Sequence, residues 1–70
     1  QLNVYDDLAD AMKEAGDTLG VRLRWGAAWH INDLRKWEYT MEGAMNSYID
    51  LRRSQGRRPF IDGPHFELVV

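Results

Sequence analysis

Two side chains near the C-terminus have the types and spacing for hydrolytic chemistry. They are Asp62 and His65, within the run F-I-D-G-P-H-F-E-L from Phe60 to Leu68. A neutral imidazole is a common zinc ligand, and a nearby carboxylate can take a proton from metal-bound water. Pro64 fixes its own φ and restricts Gly63, so a stiff backbone presents the pair. D-x-x-H is also a common tetrapeptide, and residue types alone allow a plainer reading. Asp62 is then a turn former and His65 a half-buried strand histidine. Glu67, two residues after His65, points to the same side of a strand and suits a supporting role beside it. It suits an exposed edge equally well.

The elements that must position these groups can be read from the apolar spacing. Tyr5, Leu8, Met12, Ala15 and Leu19 recur at three or four residues and predict a first helix over residues 1–20. Asn3 or Asp6 is its expected cap, and Gly20 its C′ residue. Val21 to Trp25 alternates and predicts a strand with Val21, Leu23 and Trp25 inward and Arg22 and Arg24 outward. Residues 31–54 are spaced for helix through Ile31, Leu34, Trp37, Met41, Met45, Tyr48 and Leu51. Gly43 costs about 1 kcal/mol inside a helix, so two pieces are expected rather than one. Asp33 opens the short piece, Thr40 caps the longer one from Met41 to Ser54, and Gln55-Gly56 closes it. Phe66 to Val70 alternates as a last strand, with Phe66 and Leu68 facing the helices. The class is α+β: a small antiparallel sheet packed against helices.

Several other residues invite chemistry. His30 pairs with His65 only in count, since W-H-I-N-D holds no second ligand at helical spacing, and it reads as a surface or capping residue. Ser47 and Ser54 read as helical serines without a histidine nearby. Trp29 lies where it suits either a substrate cleft or rim packing. Arg52, Arg53, Arg57 and Arg58 gather around Gly56, where cations complement a helix C-terminus.

Length and charge set the bounds. Seventy residues make one small domain, and with no cysteine it has no disulfide to staple it. Five acids stand against Lys13 in residues 1–20, and eight bases against six acids thereafter, giving the net charge of −2. A pI near 5.5 speaks against a dedicated nucleic-acid binder. No apolar run is long enough for a membrane span. A chain that begins at Gln1 rather than Met is expected to be a piece of a larger protein.

The string D-G-P-H-F-E-L, preceded by G-V-R-L-R-W-G-A-A-W, resembles the C-terminal half of phage L-alanyl-D-glutamate endopeptidases. These are endolysins of the zinc D-Ala-D-Ala carboxypeptidase (VanY-like) group. The resemblance runs from about Tyr5 to Leu68. It implies the C-terminal portion of a single VanY-like, hedgehog-type zinc peptidase domain spanning residues 1–70. The implied cofactor is Zn2+, with His65 as one metal ligand and Asp62 as the catalytic acid and base. The upstream S-x-H-x-x-G-x-A-x-D motif that supplies the other His and Asp ligands does not occur here, so an N-terminal half is an implied partner. A family G-G-x-W loop at the active-site rim corresponds to Gly26-Ala27-Ala28-Trp29, with alanine at the second glycine. Trp29 is then a substrate-binding candidate, with Arg57 or Arg58 meeting a substrate carboxylate. Residues 31–54 look like an insertion. The implied substrate is a peptidoglycan stem peptide, cut during host lysis by an enzyme made in the host cytoplasm and released to the cell wall. A catalytically incomplete or purely cell-wall-binding domain is the alternative.

Overall fold

The computed structural model describes Leu2–Val69, with side chains from Tyr5 onward. Helix α1 (Leu2–Leu19) leads to strand β1 (Arg22–Trp25), a 3-10 turn (Leu34–Lys36), helix α2 (Met41–Ser54) and strand β2 (Phe66–Val69). The two strands pair antiparallel, with Arg22 opposite Val69 and Trp25 opposite Phe66. This is a small α+β fold of two helices and a two-stranded sheet. The expected end of the last strand at Val70 lies outside the described residues.

Helix α1 begins at Leu2, upstream of both expected caps, so neither Asn3 nor Asp6 starts it. Its inward stripe is also rotated from the expected one. Ala9 and Gly16 are buried with Tyr5 and Met12 half-buried, whereas Leu8, Ala15 and Leu19 are exposed. The reason lies at Gly16, where a Cβ would stand 3.2 Å from Leu23 Cδ1 and 3.3 Å from the Val21 carbonyl oxygen. Small residues there let the helix lie close on β1, and close contact outweighs burial of the larger leucines. The helix ends as expected. Gly20 takes a φ of +68°, and the Val21 N–H reaches the Gly16 carbonyl at 3.0 Å, the hydrogen bond of a Schellman motif.

The segment from 31 to 54 divides as its punctuation predicts. Asp33 caps the 3-10 turn, accepting from the Arg35 N–H at 3.1 Å. Thr40 caps α2, accepting from the Gly43 N–H at 3.2 Å. Gly43 therefore falls in the first turn, where it interrupts no helix interior. Gly56 (φ +70°) and the Arg57 N–H to Arg52 carbonyl bond of 2.9 Å close α2 by a second Schellman motif. Leu34, Met41, Ala44, Met45 and Tyr48 are buried, so this segment supplies much of the core. Leu51 turns outward and is exposed, and Arg52 is the half-buried neighbour.

Strand β1 follows its alternation: Leu23 and Trp25 are buried, Arg22 is exposed. On β2, Phe66 stacks over Trp25 at 6.3 Å between ring centroids. Leu68, expected to face the helices with Phe66, is 61% exposed. It pairs with Leu23, but only the β1 partner is covered by α1.

Asp33 grips Arg35 through Oδ1 and Oδ2, at 3.0 Å to Nε and 2.9 Å to Nη2. Those side-chain hydrogen bonds, ahead of all other causes, hold the Asp33 carboxyl below its ordinary range. A carboxyl with a depressed folded pKa stabilises the fold above its unfolded value of about 3.9, and that contribution is lost as pH falls through the folded value. Asp33→Asn is therefore expected to lower the urea midpoint at pH 7 and to flatten its decline below about pH 4. Parallel pH profiles for the two proteins exclude this role. Thr40→Ala is expected to cost about 1 kcal/mol in the same denaturation assay.

Candidate hydrolytic site

The turn that carries Asp62 and His65 is held by backbone before any side chain is considered. The His65 N–H bonds the Asp62 carbonyl at 3.0 Å and closes the turn. Gly26, just past β1, grips both ends. Its N–H donates to the His65 carbonyl at 2.8 Å, and its carbonyl accepts from the Asp62 N–H at 2.9 Å. A Cβ at Gly26 would overlap the Asp62 carbonyl oxygen and stand 3.0 Å from His65 Cβ. Only glycine permits this approach. Below the turn, the buried Trp25 indole N–H donates to the Gly63 carbonyl at 2.7 Å. Gly63 in turn lies flat on Tyr5, where a Cβ would sit 2.7 Å from the ring.

Asp62 and His65 emerge from this frame side by side. Asp62 Oδ2 lies 3.9 Å from His65 Nδ1, and Glu67 Oε1 lies 3.4 Å from His65 Nε2. The imidazole thus has a carboxylate off each nitrogen, with all three side chains about two-fifths exposed. Trp29 tilts against the imidazole at 5.2 Å between ring centroids, and Phe60 stacks on Trp29 at 6.4 Å. Of the residues expected at the site, Asp62, His65, Trp29 and Glu67 come together.

Arg57 and Arg58 do not join them. Both are exposed after α2, and among the described residues neither guanidinium makes an ion pair or hydrogen bond with the cluster. Their backbones serve the helix end instead: the Arg58 carbonyl accepts from Arg52 Nε and Nη2 at 3.2 and 3.1 Å.

The cation at the site is Arg24, which outward alternation on β1 had marked only as exposed. Its Nη2 donates to the Trp29 carbonyl at 3.0 Å, its Nη1 stands 3.7 Å from Glu67 Oε2, and its guanidinium lies 5.4 Å from the Trp29 ring centroid. Antiparallel register explains this, since Arg24 pairs with Glu67 across the ladder. Arg24 Nε and Trp29 Nε1 are buried and, among the described residues, have no acceptor.

His30 corrects one expectation. Its Nε2 lies 3.1 Å from Ser47 Oγ, so a serine does have a histidine beside it. Burial lowers the His30 pKa, the hydrogen bond with Ala28 opposing it. The ring packs on Tyr48 and Trp37 at 5.6 and 6.2 Å. Among the described residues no carboxylate bonds its other nitrogen, so the pair lacks the orienting acid of a hydrolytic triad.

Among the described residues no three His, Cys, Asp or Glu side chains converge as ligands of a metal ion. His65 and Asp62 fit one ligand with an adjacent proton acceptor, and not a complete zinc site. No family model, curated protein or solved structure matches this chain.

Arg24→Ala is expected to free Trp29 and cost about 1–2 kcal/mol, mainly through the lost charged hydrogen bond. Indole NMR resonances should show one tryptophan, Trp29, broadening or moving towards its solvent-exposed shift. Gly26→Ala, by contrast, must push the turn off β1 and is expected to cost about 3 kcal/mol in urea unfolding.

Proposed function

We propose that the chain is the C-terminal part of a VanY-like zinc peptidase domain that cleaves peptidoglycan stem peptides at the L-Ala–D-Glu bond. The observation that carries this reading is the placement of Asp62 beside His65 on a backbone-clamped turn, 3.9 Å apart and open to solvent. Those are the residues the resemblance selects as base and ligand. The remaining His and Asp ligands belong to an upstream segment of the whole protein. When bound, zinc supplies a polarised carbonyl and a water whose pKa falls towards about 7.

The chain's own residues have distinct tasks in this reading. His65 offers one imidazole nitrogen as a ligand, with Glu67 on the other side of the ring fixing its orientation. Asp62 accepts the proton of the attacking water and returns it to the leaving amine. Trp29 and Phe60 form an apolar wall along the bound peptide. The setting is host lysis by a phage, with the enzyme made in the bacterial cytoplasm and acting on the wall. Among the described residues no helix is long and apolar enough to cross a membrane.

A cell-wall-binding module without turnover is the second reading, favoured by the lack of a converging ligand set among the described residues. The two separate in one experiment on the whole protein, upstream segment included, carrying Asp62→Asn, which removes the base while leaving the half-exposed turn intact. Hydrolysis of purified peptidoglycan is expected to fall at least about a hundredfold. Zinc content and unfolding midpoint should stay unchanged. Undiminished hydrolysis removes Asp62 from the mechanism. Peptidoglycan binding with no hydrolysis by the unmutated protein establishes the module instead.

A further inference from the structure

The Gly26 clamp fixes the backbone of His65 and leaves its side chain free to turn. Two torsions still separate a clamped backbone from an aimed imidazole. What limits them lies beside the ring. The Trp29 indole tilts against it at 5.2 Å between centroids, and Glu67 Oε1 stands 3.4 Å from Nε2. Neither neighbour is fixed by its own element. Trp29 lies in the turn after β1, and the Glu67 side chain is 42% exposed. A glutamate that open to water holds a partner weakly unless its own geometry is restrained.

Arg24 touches both of them. Its Nη2 donates to the Trp29 carbonyl at 3.0 Å, its Cζ lies 5.4 Å from the Trp29 ring centroid, and its Nη1 stands 3.7 Å from Glu67 Oε2. A guanidinium suits this task, because one rigid plane carries donors in several directions and a face that stacks on an indole. Register puts it there, with Arg24 directly opposite Glu67 on the ladder. Of the two outward arginines on β1, Arg24 faces the site and Arg22 turns away to the Asn32 carbonyl at 2.7 Å.

We propose that Arg24 is the positioning residue for the His65 imidazole. It holds Glu67 at the ring's Nε2 and Trp29 against the ring, and so sets the direction in which the ring points. Its action passes through these two neighbours. Arginine is required because both holds are made at once. A lysine ammonium is a point charge on a flexible stem and reaches one partner at a time. The ring's task as a metal ligand rests on the peptidase reading; its placement by Arg24 does not.

NMR of the protein labelled at histidine, without metal and at one fixed pH, tests the placement. Nuclear Overhauser contacts between the His65 ring and the Trp29 indole are expected in the unmutated protein. Arg24→Lys should weaken them and move the His65 ring signals towards those of an unstructured peptide. Arg24→Ala should move them further and Glu67→Gln part of the way, while Arg22→Lys should leave them in place. In the whole protein, upstream segment included, Arg24→Lys should also weaken zinc affinity about tenfold. Unchanged His65 signals in Arg24→Lys overturn the proposal even if the urea midpoint falls, since Arg24 then serves stability alone. Unchanged zinc affinity in a whole protein that binds zinc overturns it as well. A whole protein that binds no zinc ends the peptidase reading instead, and the histidine signals still decide the role of Arg24.

Discussion

The close contact between Gly26 and the Asp62–His65 turn is the constraint on which the rest of the molecule depends. Two backbone hydrogen bonds cross it, and the absence of a side chain at Gly26 makes the distance possible. Trp25, one residue earlier, fixes the depth of the turn by donating its indole N–H to Gly63 and stacking on Phe66. A two-stranded sheet is marginal by itself. Here β1 and β2 are joined at their common end by this clamp and backed by α1 through Gly16. The fold therefore stabilises its sheet and positions Asp62 and His65 with the same atoms.

Around that clamp the charged groups divide by position. On the outer face of the sheet, Arg24 lies among Glu67, Trp29 and His65, and opposite charges stand within reach of one another. At the junction of α1 and α2 the acids stand together, with Asp6 buried and its partners all of like charge. The 3-10 turn shows the contrast: buried Asp33 is paired at once by Arg35, and its carboxyl shifts down rather than up. Burial alone does not decide the shift. At Asp6 burial is the largest cause and the neighbouring acids add to it, whereas at Asp33 the Arg35 hydrogen bonds outweigh burial.

Apart from the start of α1, helix ends were legible because they rest on local chemistry. Thr40, Asp33, Gly20 and Gly56 each act within a few residues of their own position, so their roles follow from sequence neighbours. The strand alternation at Val21–Trp25 was legible for the same reason. The stripe on α1 was not, because it was set by Gly16 meeting Leu23 rather than by the largest apolar residues. Leu68 failed likewise: alternation placed it on a face, and only the reach of α1 decides how far along that face the cover extends. Among site residues, the spacing of Asp62, His65 and Glu67 was readable, whereas Arg24 enters from a distant part of the chain. The Ser47 contact of His30 joins a loop to a helix and left no local sign.

The sequence by itself determined the punctuation of the chain, its α+β class and the local order of the D-G-P-H turn. These depend on φ preferences, capping side chains and two- or four-residue periods, all of which act over short stretches. Tertiary structure alone decided which carboxylates meet cations and which meet one another. It also decided that Trp29 would lie on His65, and that Asp6 would be sealed between two helices. Such pairings depend on distances between segments tens of residues apart, and electrostatic energy changes steeply with both separation and burial. A sequence records the charges, but their partners are chosen only when the chain closes on itself.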